Sequence, residues 1–308
     1  MAPPTSVLLP TVAWTPACRE VAAQLDPEDE LLLLCDTDAD PIASRETDLP
    51  EQVRLLRAGE PEGCSGKANA IATGMRRADH DRIVWTDDDF HHPPDWLADL
   101  QADYEAHGPV TELPFFVGRD PLSLLCEPLY VLGGPLGVYA AGKAWGGAVV
   151  FERSDLEWER FLADLSRTVS DDGLLSEYLD VTPLRRVRSV PIGGTIDESV
   201  ERHVRFMQIV WRHDPWTTLF TIVLMSLFTL LCLFFPLPGF LLTTAILSVV
   251  YAAFSVRRWT VLLAYPATLV QLPLFGYALA RRTFVWGGRR YRWRAKFDVR
   301  VLDEEVNP

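Results

Sequence analysis

Along the first two hundred residues, short apolar runs alternate with charged segments of helical character. Ser6 to Leu9 and Glu30 to Cys35 read as strands, with a helix over Pro16 to Leu25 between them. Val53 to Leu56 predicts a third strand, Lys67 to Arg77 a helix, and Arg82 to Thr86 a fourth strand. Such alternation predicts an α/β layer fold with a mostly parallel, Rossmann-like sheet. Ligands of these sheets bind outside the carboxyl ends of the strands. Asp36, Asp38 and the run Asp87, Asp88, Asp89 in "RIVWTDDDF" all fall at such ends.

The pattern changes near Trp216, after which the chain is almost uncharged until Arg281. Three apolar segments follow, Thr217–Phe235, Phe240–Val256 and Thr260–Ala280. A spanning helix needs roughly 20 apolar residues, so the first two predict a transmembrane hairpin. A buried helix pair in a soluble protein is the alternative, disfavoured because no charge occurs between Thr217 and Val256. The third segment carries Pro266, Gln271 and Pro273 and reads as either a kinked span or a re-entrant piece. Arg257, Arg258 and the tail "RRTFVWGGRRYRWRAK" mark their sides of the membrane as cytoplasmic. With the N-terminal domain also cytoplasmic, two full spans satisfy every constraint and three do not. The expected organisation is an α/β domain over 1–212, a membrane region over 213–281, and a basic-then-acidic cytoplasmic tail over 282–308.

Composition narrows the classes further. The chain of 308 residues has 29 Lys+Arg against 42 Asp+Glu, a net charge of −13, which argues against nucleic-acid binding. Five scattered cysteines without a C-x-x-C pair indicate neither a disulfide framework nor a zinc site, and point to a reducing compartment. The opening run "SVLLPTVAW" is too short for a signal peptide and lacks a basic start.

The chemistry-bearing positions come in order. Asp87 and Asp89, spaced D-x-D at a strand end, can hold Mg²⁺ or Mn²⁺ through oxygen ligands and bring it to a nucleotide diphosphate; a helix cap and solvated turn is the alternative. Asp36 can accept from a nucleobase or ribose hydroxyl, with Asp38 as a second candidate, or either can be an Asx-turn residue. "SGKANAIATGM" puts Lys67 and Asn69 at a helix start suited to phosphate, although Ala68 replaces the Ser/Thr of a Walker A loop. The small residues Gly142, Gly146 and Gly147 allow either close backbone approach to a ligand or a tight hairpin. "SDDGLLSEYL" places Asp171 and Asp172 at a helix N-terminus, where one can serve as a base or both as caps. In "ERHVRF", Arg202 and Arg205 share a helix face beside Phe206. They suit a diphosphate or acceptor, or else anionic lipid headgroups. His91 and His92 lack a second ligand cluster, which counts against a metallohydrolase.

This ordered set resembles the family 2-type inverting glycosyltransferases of the GT-A fold, and most of all their ceramide glucosyltransferase-like membrane branch. "FVWGGRRYRW" is also similar to the W-x-G-x-x-Y segment closing many of those enzymes. The resemblance implies a hexosyltransferase moving sugar from a UDP- or GDP-hexose to a lipid hydroxyl at the cytoplasmic face of the cell membrane. It assigns Asp36 to the base or ribose, Asp87 and Asp89 to nucleotide and metal, and Asp172 to the role of general base. Arg202, Arg205 and Phe206 become the diphosphate and acceptor motif. Asp38, Lys67, Asn69, Asp88, Gly147 and Asp171 fall to the nucleotide sugar, Asp88 being the least important of its run. Asp171 stands for the usual Glu and Phe206 for the usual Trp, both keeping the chemical type. The branch's N-terminal anchor is missing, which bears on the acceptor more than on the reaction. A polyprenyl-phosphate acceptor and a catalytically silent membrane protein are the rival expectations.

Overall fold

The structure, a computed structural model, describes residues 3–302. The chain divides into two units: 3–113 with Ala141–Leu184 and Phe297–Val301, and Pro114–Ala140 with Arg185–Lys296 and Leu302.

The first unit begins with β1 (Thr5–Pro10), α1 (Pro16–Ala22), β2 (Glu30–Cys35), β3 (Val53–Arg57), α2 (Gly66–Arg77), β4 (Arg82–Thr86) and α3 (Trp96–His107). The strands and α2 lie within two residues of their expected bounds; α1 stops at Ala22 rather than Leu25. β5 (Val110–Gly118) follows, then α4 (Pro121–Val131), a π-helical turn at Leu132–Leu136, α5 (Gly137–Ala141) and β6 (Ala148–Glu152). Next come α6 (Trp158–Leu165), α7 (Asp171–Tyr178) and β7 (Thr182–Ile192). The sheet order is β3-β2-β1-β4-β6-β5-β7. β3, β2, β1 and β4 are parallel, and β6 runs against both β4 and β5. The fold is therefore α/β of the GT-A type, a mostly parallel sheet with one reversed strand.

Physical causes for this core are visible residue by residue. Leu31 to Leu34 of β2 are all buried, as a strand covered on both faces requires. Trp85 of β4 is fully buried, edge-on to Phe151 at 5.5 Å and stacked on Phe161 at 6.1 Å; truncating such a side chain costs about 3–5 kcal/mol. At the other end of the strands, buried Glu30 accepts from the Ser6 hydroxyl (2.6 Å) and the Asp79 amide (2.7 Å) and pairs with Arg54. The chain runs outward from β1 to β3 and then returns to β4 on the far side of β1. That reversal opens the ligand crevice between the carboxyl ends of β1 and β4.

The second unit contains α4, α5, α8 (Ile196–His213), α9 (Pro215–Phe234), α10 (Pro236–Ala253) and α11 (Ala264–Ala280). The division does not follow a single boundary at residue 212, because 114–140 and 185–212 group with the apolar helices. Four helices are long and apolar enough to cross a membrane: Pro121–Ala141, Pro215–Phe234, Pro236–Ala253 and Trp259–Ala280. The first was not anticipated, and the last is a single long helical segment by composition. Phe234 is 77% exposed and Val249 69%, exposure that suits lipid rather than water. Within the unit, Glu127 of α4 is fully buried and receives both Arg258 Nε (2.5 Å) and Nη2 (3.0 Å). Thr260 Oγ1 and the Gly118 amide also donate to it. Arg258, expected as a cytoplasmic marker, is also the partner of a buried carboxylate.

The region taken as a tail forms three strands, β8 (Thr283–Trp286), β9 (Arg289–Ala295) and β10 (Asp298–Leu302). β8 and β9 make an antiparallel hairpin turning on Gly287 and Gly288, whose φ values of 56° and 74° favour glycine. The acidic end expected over 303–308 lies outside the described residues.

Candidate active site

Three segments of the first unit converge on one cation. Lys67, in the first turn of α2, extends Nζ to Asp87 Oδ1 at 2.6 Å and to Asp171 Oδ2 at 3.3 Å. Ser65 places it there: its hydroxyl caps α2 by accepting from the Ala68 amide and donates to the Val169 carbonyl at 2.8 Å. A second link, Ser65 N to Thr168 O at 3.1 Å, fixes the start of α2 against the approach to α7. Burial alone pushes Lys67 down, but Asp171, Asp87 and Asp172 outweigh it and the net direction is up. Lys67 is therefore charged at any working pH. Burial pushes Asp171 up, Asp172 and Asp87 add to the rise, and Lys67 opposes it.

Asp172 sits beside this pair, in the first turn of α7. Its Oδ1 accepts from the Ser170 hydroxyl and the Gly173 amide, both at 2.7 Å. Its carbonyl accepts from Ser176 Oγ (2.7 Å), which in turn accepts from the Ala144 amide (2.9 Å). That chain ties α7 to the glycine pair before β6. Gly146 lies against the charges: a Cβ there would stand 2.8 Å from Asp171 Oδ2 and 3.5 Å from Lys67 Nζ. Gly147 packs under Trp145 instead, and its carbonyl takes the Thr86 hydroxyl at 3.0 Å. Close approach to the cluster thus belongs to Gly146, whereas the sequence reading placed Gly147 in the site.

The aspartate run divides its labour. Asp87 faces Lys67. Asp88 turns inward and accepts from Thr11 Oγ1 at 2.6 Å, joining the ends of β4 and β1. Burial raises its pKa, with the Thr11 bond opposing. Asp89 is exposed. Asp88, expected to matter least of the three, thus links the two strand ends at the switch point. His92 also turns inward, its Nε2 2.7 Å from Thr86 Oγ1 and its ring 4.1 Å from Phe90.

Asp36 ends β2, and its amide donates to Asp40 Oδ2 (2.8 Å), as does that of Thr37 (2.9 Å). Its carbonyl accepts from the Gly59 amide at 2.9 Å. Asn69 Nδ2 donates to the Gly59 carbonyl (2.8 Å) and the Ala58 carbonyl (3.1 Å). Asn69 therefore positions the loop behind Asp36, a use of its amide that phosphate binding did not anticipate. Asp38 pairs with Arg57 (2.8 Å), which also holds Glu46.

Arg202, Arg205 and Phe206 lie on α8 in the second unit. Arg202 stacks over the Phe116 ring at 4.2 Å and Arg205 over Trp286 at 4.2 Å, while Phe206 is 42% exposed. Thr11, Ser65 and Ser170 escaped the sequence reading, which named Gly146 only together with Gly142 and Gly147. Only the serines preceding helix starts carried a local signal.

Divalent-cation binding fits the side chains present. Asp87 and Asp89 offer hard oxygen donors, and Lys67 already neutralises one of them. Among the described residues, no three His, Cys, Asp or Glu side chains converge on one point, so diphosphate and water would have to complete any coordination shell.

Part of the chain is similar to known proteins. Residues 15–130 match the family model described as Glycosyl transferase family 2. The match takes in Asp36, Lys67, Asn69 and the aspartate run. No curated protein sequence matches it. Among solved structures it is similar to one described as a mycobacterial protein (15% identity, TM-score 0.44, covering 68% of this chain and 74% of that one). It is also similar to glucosyl-3-phosphoglycerate synthase from Mycobacterium tuberculosis with phosphoglyceric acid (16% identity, TM-score 0.42, 68% and 80%). The same synthase with Mn²⁺, UDP and glucosyl-3-phosphoglycerate matches at 15% identity, TM-score 0.42, 68% and 80%.

Proposed function

We propose, from the glycosyl transferase family 2 match over 15–130, that the protein transfers a hexose from a nucleotide diphosphate sugar to a membrane-lipid hydroxyl, inverting the anomeric centre. The observation that carries the proposal is the charged cluster of Lys67, Asp87 and Asp171, with Asp172 beside it and Gly146 beneath. Together they form a compact anionic wall around one half-buried cation, at the carboxyl end of the sheet.

In this reading Asp36 takes the base or ribose, and Asn69 holds the loop that positions it. Asp87 and Asp89 would hold Mg²⁺ or Mn²⁺, which when bound offsets the charge of the departing diphosphate. Lys67 fixes Asp87 and stabilises Asp171 as an anion at the sugar's side of the cluster. Asp172 accepts the acceptor's hydroxyl proton. Both of its hydrogen bonds fall on Oδ1, which orients the carboxylate and supports Oδ2 as the atom that takes the proton. The freed alkoxide character develops only as the anomeric carbon is attacked on the face opposite the diphosphate. Arg202, Arg205 and Phe206 enter as diphosphate and acceptor residues on the motif alone. The apolar helices α9 and α10 support a membrane-anchored enzyme, and the arginines at 257–258 and 281–282 are the basis for putting the first unit on the cytoplasmic side. Pro121–Ala141 joins β5 to β6 of one sheet and does not enter that argument.

The test is transfer by the purified full chain, in detergent with a membrane lipid extract and a panel of nucleotide sugars, read by mass spectrometry of the products. A glycolipid formed by the protein and abolished in Asp172→Asn supports a hydroxyl acceptor. A product that survives Asp172→Asn assigns a lipid phosphate acceptor, which needs no strong base. Absence of both transfer and metal-dependent nucleotide binding overturns the enzymatic reading.

A further inference from the structure

Five arginines of the second unit, Arg212, Arg281, Arg282, Arg292 and Arg294, line one cavity of about 650 Å³. In a chain with net charge −13, such a concentration of cations is a local exception. Arg281 pairs with Glu201 at 2.8 Å. Among the described residues no carboxylate pairs with the other four. Arg212 Nη2 donates to the Trp293 carbonyl at 2.8 Å, but its Nε is buried without an acceptor. Desolvation pulls its pKa down, the direction expected of a guanidinium in want of an anion.

The cavity's place along the chain identifies the kind of anion. Arg281 and Arg282 directly follow Ala280, the last residue of the apolar helix Trp259–Ala280. Leu279 of that helix lines the same cavity, as do Trp211 and Trp293. Tryptophan and arginine at the end of an apolar span belong at the membrane–water boundary. Planar guanidinium forks bind phosphate oxygens two at a time, and basic pockets beside membrane helices suit phospholipid headgroups. A volume in the range of small-molecule sites leaves room for more than a bare phosphate ion.

We propose that this arginine-lined cavity binds the phosphate headgroup of an anionic membrane lipid, with the lipid's apolar part following Leu279 and the tryptophans along α11. The site is independent of the sugar-transfer reading and stands or falls without it.

The test uses the full chain purified in a neutral detergent, titrated with phosphatidic acid, phosphatidylglycerol, phosphatidylcholine or inorganic phosphate, and read by native mass spectrometry and thermal unfolding. Both anionic lipids are expected to be retained about tenfold more strongly than phosphatidylcholine, a difference of about 1.4 kcal/mol, and to raise the unfolding temperature. Arg282→Gln/Arg292→Gln should remove that preference. Arg294→Gln, at an exposed side chain, carries the same test if the double variant does not fold. Equal retention of anionic and zwitterionic lipid, or a preference unchanged in the variants, overturns the proposal. Stabilisation by inorganic phosphate equal to that by phosphatidic acid overturns the lipid half and assigns a free phosphoryl ligand.

Discussion

The Thr11 hydroxyl donates to Asp88 at 2.6 Å, bridging the carboxyl ends of β1 and β4 where the strand order reverses. Asp87, on one side of Asp88, is thereby held toward Lys67, and Asp89, on the other, toward solvent. Thr11→Val keeps the shape and removes the donor. A hydrogen bond to a charged group at a half-buried site is worth about 1–2 kcal/mol. The variant should lose that stability in thermal unfolding and bind nucleotide more weakly, whereas Thr11→Ser should restore both. Full retention of nucleotide affinity in Thr11→Val would show that the bridge does not shape the crevice.

Among the described residues, Lys67 is the one cation paired with Asp87 and Asp171. Lys67→Met leaves two carboxylates with little solvent to screen them. Breaking a buried pair in this way costs about 3–5 kcal/mol. The expected result is a large fall in unfolding temperature together with loss of nucleotide-sugar binding. Lys67→Arg should recover stability in part, because its longer fork cannot reproduce a single point contact to both oxygens.

Much of this was legible in the sequence, for identifiable reasons. Glu30 to Cys35 and Arg82 to Thr86 are apolar runs of strand length bounded by polar turns, and Lys67 to Arg77 follows a serine cap. What escaped was non-local. The D-x-D spacing singled out the outer two aspartates as oxygen ligands for a cation and left the middle one without a role. The strand ends at Thr86, and the backbone bends so that the middle residue turns inward. Pro121–Ala141 escaped because Glu127, Pro128 and Pro135 interrupt its hydropathy. The charge of Glu127 is paired with Arg258, 131 residues away, which no local pattern shows. The glycine pair of the tail carries a hairpin signal, but its flanking arginines were read as topological markers and as part of a family-like segment.

Gly146 tests how closely a ligand must approach. Gly146→Ala sets a methyl group 2.8 Å from Asp171 Oδ2, so the carboxylate must shift. Displacements of this size at a reacting centre cost about a hundredfold in rate. Turnover should fall by that order while the unfolding temperature moves little. Gly147→Ala instead collides with Trp145 at 2.3 Å and should destabilise the fold before it affects turnover. Similar losses of activity and stability in both variants would contradict this assignment of roles.

Asp171 gives the site a pH signature. Burial holds its folded-state pKa above that of the unfolded chain, so folding takes up a proton in the interval between the two. Stability contributed by this residue therefore rises as pH falls through its folded-state pKa, and is lower above it. Asp171→Asn removes the penalty. The gap in unfolding temperature between Asp171→Asn and the native chain should favour the variant at about pH 7.5 and shrink by about pH 5. A constant gap across that range would mean that Lys67 fully offsets the burial.

Glu127 is the corresponding test in the second unit. Its fully buried carboxylate receives two bonds from Arg258, with further donors from Thr260 and Gly118. Glu127→Ala strands the guanidinium and leaves a cavity, so a loss of about 3–5 kcal/mol is expected. Glu127→Met/Arg258→Met replaces both partners by apolar chains of similar volume, which for buried pairs is often neutral or stabilising. The double variant should therefore unfold at a higher temperature in detergent than Glu127→Met alone, a coupling that a double-mutant cycle reads directly. Strictly additive losses would mean that Arg258 finds its support elsewhere, and Pro121–Ala141 would then be held to α10 and α11 by apolar packing alone.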